Sequence, residues 1–89
     1  MGTTGNGIVA PMARIRLFAS AREAAGTGRD DLDGATVAEV LRAATAKYGH
    51  GFAAVLETCR IWVNGEEAQP DTPVTARDEV AVLPPVSGG

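Results

Sequence analysis

The segment Thr36–Tyr48 carries its apolar side chains on a single stripe, and that stripe dictates what the rest of the chain must supply. Val37, Val40, Leu41, Ala44 and Tyr48 recur at i, i+3, i+4, i+7 and i+11, the spacing of one helix face. Thr36 followed by Glu39 forms a capping box at the start, and Gly49 supplies the stop. A helix that is apolar on one side alone needs a sheet to lie on.

Strand patterns stand on both sides of this helix. Ala13–Ala19 (ARIRLFA) alternates, with Ile15 and Leu17 toward one face and Arg14, Arg16 and Phe18 toward the other. Ser20 with Glu23 predicts a second capping box and a short helical turn ending near Gly26. Thr27–Asp33 is polar, is anchored on Leu32, and predicts a short second strand. Beyond the long helix, Phe52–Leu56 stays apolar as a short helical or irregular packing segment, and His50 reads as a loop residue between two glycines. Arg60–Asn64 (RIWVN) alternates again, Ile61 and Val63 on one face and Trp62 on the other.

Asn64-Gly65 is the strongest hairpin signal, because a type I′ turn needs φ > 0 at both central positions. A short return strand comes next, through Glu67 and Ala68. Pro70–Pro73 and Ala76–Asp78 read as turns, and Glu79–Leu83 (EVAVL) as the last strand, with Val80 and Val82 on one side. The order is that of an α+β fold: a mixed sheet packed on one main helix.

Charge and composition exclude several functions. A net charge of −3 with a single lysine, Lys47, and scattered arginines is a poor match to a phosphate backbone. No stretch approaches the roughly 20 apolar residues that a membrane helix needs. The lone Cys59 excludes an internal disulfide framework, fits a reducing cytoplasm, and reads as a small core hydrophobe. His50 lacks companions for a metal site, and Asp30, Asp31 and Asp33 read as a solvated turn. No general acid–base pair, Ser-His-Asp set or phosphate-binding glycine loop stands out, so catalytic side chains are expected on another protein. Residues 1–12 are expected to be a disordered extension, 13–84 the folded domain and 85–89 a flexible tail.

That tail carries the functional signal. The last strand runs into Leu83-Pro84-Pro85-Val86-Ser87-Gly88-Gly89. Proline fixes φ near −65° and projects the residues after it away from the fold. Glycine has no Cβ, so its backbone passes a channel that any other residue would block. At the tip the Gly89 carboxylate is the group open to chemical activation.

The order ββαββ resembles the ubiquitin-like β-grasp sulfur carriers. So do Ile15–Ala19 with Arg22-Glu23 after it, Gly26-Thr27, Val63-Asn64, Asp78-Glu79-Val80 and the ending LPPVSGG. Within them the chain is most similar to the small subunits of molybdopterin synthase. The resemblance covers nearly everything from Ala13 to Gly89 and implies a β-grasp fold without a bound cofactor. It implies two partners. An E1-like enzyme would adenylate Gly89 with ATP and convert it to a thiocarboxylate, and a synthase large subunit, in a heterotetramer, would receive the loaded tail. Sulfur would pass there to a cyclic pyranopterin precursor of the molybdenum cofactor.

On this reading Gly89 is the acyl carrier, while Pro85, Val86, Ser87 and Gly88 are threaded through the partner's channel. Phe18, Trp62 and Leu83, opposite the helix-covered face, are candidates for a partner contact. The competing readings are a carrier for cysteine, thiamine or tRNA thiolation, a ubiquitin-like protein modifier, and a plain binding module with an incidental tail.

Overall fold

The computed structural model describes residues 11–85, arranged as five strands and three helices. In chain order these are β1 (Met12–Leu17), α1 (Ala19–Ala25), β2 (Arg29–Asp33), α2 (Val37–Tyr48), α3 (His50–Leu56), β3 (Arg60–Val63), β4 (Glu66–Glu67) and β5 (Glu79–Leu83). The sheet order is β2-β1-β5-β3-β4. β1 and β5, from opposite ends of the chain, pair parallel at its centre, and every other pairing is antiparallel.

Period-two alternation makes one face of this sheet apolar. Ala13, Ile15 and Leu17 of β1, Leu32 of β2 and Val80 and Val82 of β5 are buried, and Ile61 and Val63 of β3 pack against them. The helices close this face with Ala21 of α1, Val37, Val40 and Ala44 of α2, and Phe52 of α3. The Tyr48 ring meets the Phe52 ring edge-on at 5.2 Å.

α2 begins as its sequence dictates. Thr36 Oγ1 accepts from the Glu39 amide at 3.3 Å. The Glu39 carboxylate reaches back to the Ala35 amide at 2.8 Å, one residue beyond the usual capping-box partner. Two further amides of the first turn, those of Val37 and Ala38, donate to Thr72 O and Pro70 O, so the loop before β5 caps the helix. Gly34, at φ +153°, makes the turn into α2. A Cβ there would stand 2.6 Å from the Val40 amide nitrogen, so the close approach requires glycine.

Three local expectations are corrected. The Ser20/Glu23 capping box does not form. The chain leaves β1 through an extended Phe18 and a left-handed Ala19 (φ 51°), so the N-cap is Phe18, two residues before Ser20, and has no side-chain hydrogen bond. His50 is not in a loop: Gly49, at φ +94°, ends α2 and the chain re-enters a helix at once. β1 starts at Met12, and Pro11 O accepts from the Gly34 amide, so the ordered ladder extends ahead of Ala13. The Asn64-Gly65 turn has the expected positive φ at both residues, 52° and 87°.

Candidate functional site

Among the described residues no helix lies on the outer face of the sheet. Continuing the register across it, Arg16 of β1, Ala81 of β5, Trp62 of β3 and Glu67 of β4 form one row. Leu83 and Arg60 form the row beside it. Phe18 stands one step past the last β1–β5 pair, Leu17 with Val82, and its amide donates to Val82 O at 3.3 Å. That bond fixes the root of the tail against the end of β1.

Phe18 is 36% exposed, and neither Trp62 nor Leu83 packs on the buried core. Phe18, Leu83, Ala81 and Trp62 therefore form an apolar strip across three adjacent strands at the end of the sheet where β5 finishes. The Arg16 guanidinium lies 5.4 Å from the centroid of the Phe18 ring. The Arg60–Glu67 ion pair, 2.9 Å, flanks Trp62 on the hairpin side. The three residues that period-two reading singled out are thus brought onto one surface.

From this surface the chain leaves through Pro84, half-buried, and Pro85, exposed. Neither proline has an amide proton, so strand pairing cannot continue along them. Val86, Ser87, Gly88 and Gly89 lie outside the described residues.

A polar clamp, not foreseen in the sequence, holds β5 at its other end. The Asn64 side-chain amide donates to Asp78 Oδ1 at 2.8 Å while its oxygen accepts from the Glu79 amide at 3.0 Å. Asp78 also accepts from the Thr75 amide at 2.7 Å. The Asn64 amide and the Thr75 backbone N–H together hold the Asp78 carboxyl below its ordinary value. Val63-Asn64 and Asp78-Glu79 are thus parts of one joint, which seats the hairpin against the central strand.

Elsewhere the ionisable groups read as structural. Lys47 and the Tyr48 hydroxyl both bond Asp30 Oδ2 at 2.6 Å, and these two bonds, Lys47's first, depress the Asp30 carboxyl. Asp30 is therefore a paired residue on the helix side of β2 and not a member of a solvated acidic turn. Burial pushes the Cys59 thiol up, away from the thiolate, and its Sγ–H donates to Val55 O at 3.2 Å. That is the behaviour of a packing residue. Among the described residues no group of three or more His, Cys, Asp or Glu is placed to hold a metal ion, and no helix is long and apolar enough to cross a membrane. What the surface can do chemically is to dock, and to present the chain that leaves it.

Comparison with known proteins agrees with this geometry. The model of the ThiS family matches residues 15–89. A molybdopterin synthase sulfur carrier subunit from Mycosarcoma maydis is 35% identical over 88 residues, spanning 89% of this chain and 95% of its own. The solution structure of small archaeal modifier protein 1 from Methanosarcina acetivorans superposes with a TM-score of 0.79 at 32% identity, covering 91% of this chain and 99% of that one. A chain from the complex of subunits 1 and 2 of molybdopterin-converting factor from Helicobacter pylori matches at TM-score 0.65 and 26% identity over 88% and 99% of the two chains. Sheet order, helix placement and sequence together establish that the chain belongs to the ThiS family of ubiquitin-like β-grasp sulfur carriers.

Proposed function

We propose that this chain is the sulfur-carrier subunit of a molybdopterin synthase and that Gly89 is its acyl carrier. The observation that carries the reading is the end of β5. A central strand, bonded on both sides, delivers the chain through Pro84-Pro85 directly beside an uncovered apolar strip of Phe18, Leu83 and Trp62. A surface of this kind grips a partner while the tail extends into it. The name of the Mycosarcoma maydis relative and the two-subunit Helicobacter pylori complex support a large synthase subunit as that partner.

The chemistry proceeds in balanced steps. The Gly89 carboxylate attacks the α-phosphorus of ATP on an E1-like enzyme, giving an acyl adenylate and releasing pyrophosphate. A sulfur donor then delivers sulfide sulfur to the acyl carbon, AMP departs, and a thiocarboxylate remains. Its soft anionic sulfur attacks a carbon of the pyranopterin precursor in the large subunit and displaces an oxygen leaving group from it. Water then cleaves the acyl C–S bond of the resulting thioester, returning the carboxylate and leaving the sulfur on the product as a thiol. Gly88 keeps the tail slim enough to enter both pockets, whose Arg, Lys or backbone amides hold the anionic end. Cys59 takes no part.

Reconstitution tests the reading. The chain, loaded by its activating enzyme and mixed with the large subunit from the same genome, should convert precursor to dithiolene. Deleting Gly89 should abolish conversion and leave the melting temperature unchanged. A second reading, conjugation to lysines of other proteins, draws on the modifier protein from Methanosarcina acetivorans. Laddered conjugates in the host, lost on deleting Gly89, together with failure of the reconstitution, would favour it.

A further inference from the structure

Beside the apolar strip, where β1, β2 and the end of α1 meet, Arg16, Arg22 and Arg29 line one open depression with Phe18 on its rim. Arg14 extends the same patch along β1 on the outer face of the sheet. Four of the chain's seven arginines are therefore gathered in one place, on a protein whose net charge is −3. Two features mark the gathering as something other than scattered solubilising charge.

First, Arg16 and Arg29 are directly opposed in the β1–β2 register. Like charges directly opposite across an antiparallel pair are destabilising, so this placement costs the sheet something that the fold does not need. Second, the opposing carboxylates gather at one end of the cluster: Asp31 and Glu79 both stand opposite Arg14 in the register, while the depression that Arg16, Arg22 and Arg29 share has no acidic lining residue. Glu79 reaches Arg16 at 3.5 Å, whereas among the described residues no carboxylate lies within 4.0 Å of Arg14, Arg22 or Arg29. Arg22 also lies over Gly28, where a Cβ would stand 3.4 Å from its Nε, so the bare backbone leaves the guanidinium room in the depression.

We infer that this cluster is an electrostatic docking surface for an acidic face of the protein that receives the tail. It lies beside the strip and the tail root, so it would orient that partner before the apolar contacts close. The inference rests on the proposed function and adds the charge of the surface that must face this chain. Charge complementarity of this kind acts chiefly on the association rate and is screened by salt, whereas desolvated apolar contacts set the dissociation rate.

The test measures association and dissociation of the purified chain with the large synthase subunit from the same genome by biolayer interferometry, at 50 and 500 mM NaCl. The double variant Arg22→Glu/Arg29→Glu should associate about tenfold or more slowly at the lower salt, with dissociation changed less than about twofold. Raising the salt should slow the unmodified chain toward the variant. Arg22→Gln/Arg29→Gln guards against misfolding: relieving the Arg16–Arg29 opposition, it should melt no lower than the parent and fall between the two in rate.

Equal association rates for parent and charge-reversed chain, with binding intact, would overturn the docking surface and leave the proposed function standing. No binding by the parent chain would overturn both. Loss of binding to vesicles of phosphatidylserine and phosphatidylcholine in the reversed chain, with partner kinetics unchanged, would also overturn the inference and reassign the patch to a membrane.

Discussion

The two faces of the central strands use the same backbone for opposite purposes. On the helix side, Ile15, Val80 and Val82 are fully buried, and across the β1–β5 and β3–β5 pairings their neighbours are all apolar. On the other side Arg16, Ala81, Trp62 and Leu83 stand half-exposed, and among the described residues no helix lies above them. A one-residue step along a strand thus separates a position that holds the fold together from one left open on the surface that we propose docks a partner. The inner face should govern stability and the outer face association, and substitutions can break that division if it is wrong.

The largest effect on stability is expected inside. Phe52→Ala removes a fully buried ring and its edge contact with Tyr48, and should cost about 3–5 kcal/mol, enough to unfold much of so small a domain. Chemical denaturation with far-ultraviolet circular dichroism measures it. Gly34→Ala comes next. A methyl group 2.6 Å from the Val40 amide, on a backbone at φ +153°, should cost about 1–3 kcal/mol in the same assay.

Asp30→Asn should cost about 1 kcal/mol, since the amide keeps a bond to the Tyr48 hydroxyl but loses the pairing with Lys47. The pH dependence has a definite sign. Lys47 and Tyr48 hold the folded carboxyl below its ordinary value of 3.8. The Asp30 contribution is therefore present above that value and lost as pH falls through the lower, folded one. Titrating thermal stability from pH 6 to pH 2 should show a decline that is shallower in the Asn variant.

Smallest of all in stability is Trp62→Ala on the outer face, at about 1 kcal/mol or less. The same substitution should weaken association with the large subunit by tenfold or more, as expected of an aromatic anchor. If Trp62→Ala instead unfolds the chain, or leaves binding untouched, the division between the faces fails.

Much of this division is legible in the residues alone. Period-two alternation places Phe18, Trp62 and Leu83 opposite the core, and the Thr36/Glu39 pair and the Asn64-Gly65 turn announce α2 and the hairpin, because each rests on residues close in sequence. What is not legible depends on contacts between distant segments. The unusual exit from β1, with Ala19 left-handed, arises where Phe18 is pinned to Val82 across the sheet, and it displaces the local Ser20/Glu23 cap. His50 stands among strong loop signals, yet Gly49 only changes the direction of the chain, and Phe52 needs α3 in order to reach the core. The arginine cluster is invisible for the same reason. Arg14, Arg16, Arg22 and Arg29 look dispersed until β2 folds back along β1 and sets Arg29 against Arg16.

The central claim, that the chain's own end carries sulfur, meets its most direct test in the mass of one peptide. Cleavage after Arg77 releases residues 78–89, a fragment without methionine or cysteine, so a gain there is not the oxidation of either residue. After co-expression with its activating enzyme, that fragment should gain about 16 Da, the exchange of one carboxyl oxygen for sulfur, confined to Gly89. An unchanged mass, under conditions in which the same enzyme hydrolyses ATP in the presence of the chain, would contradict the account.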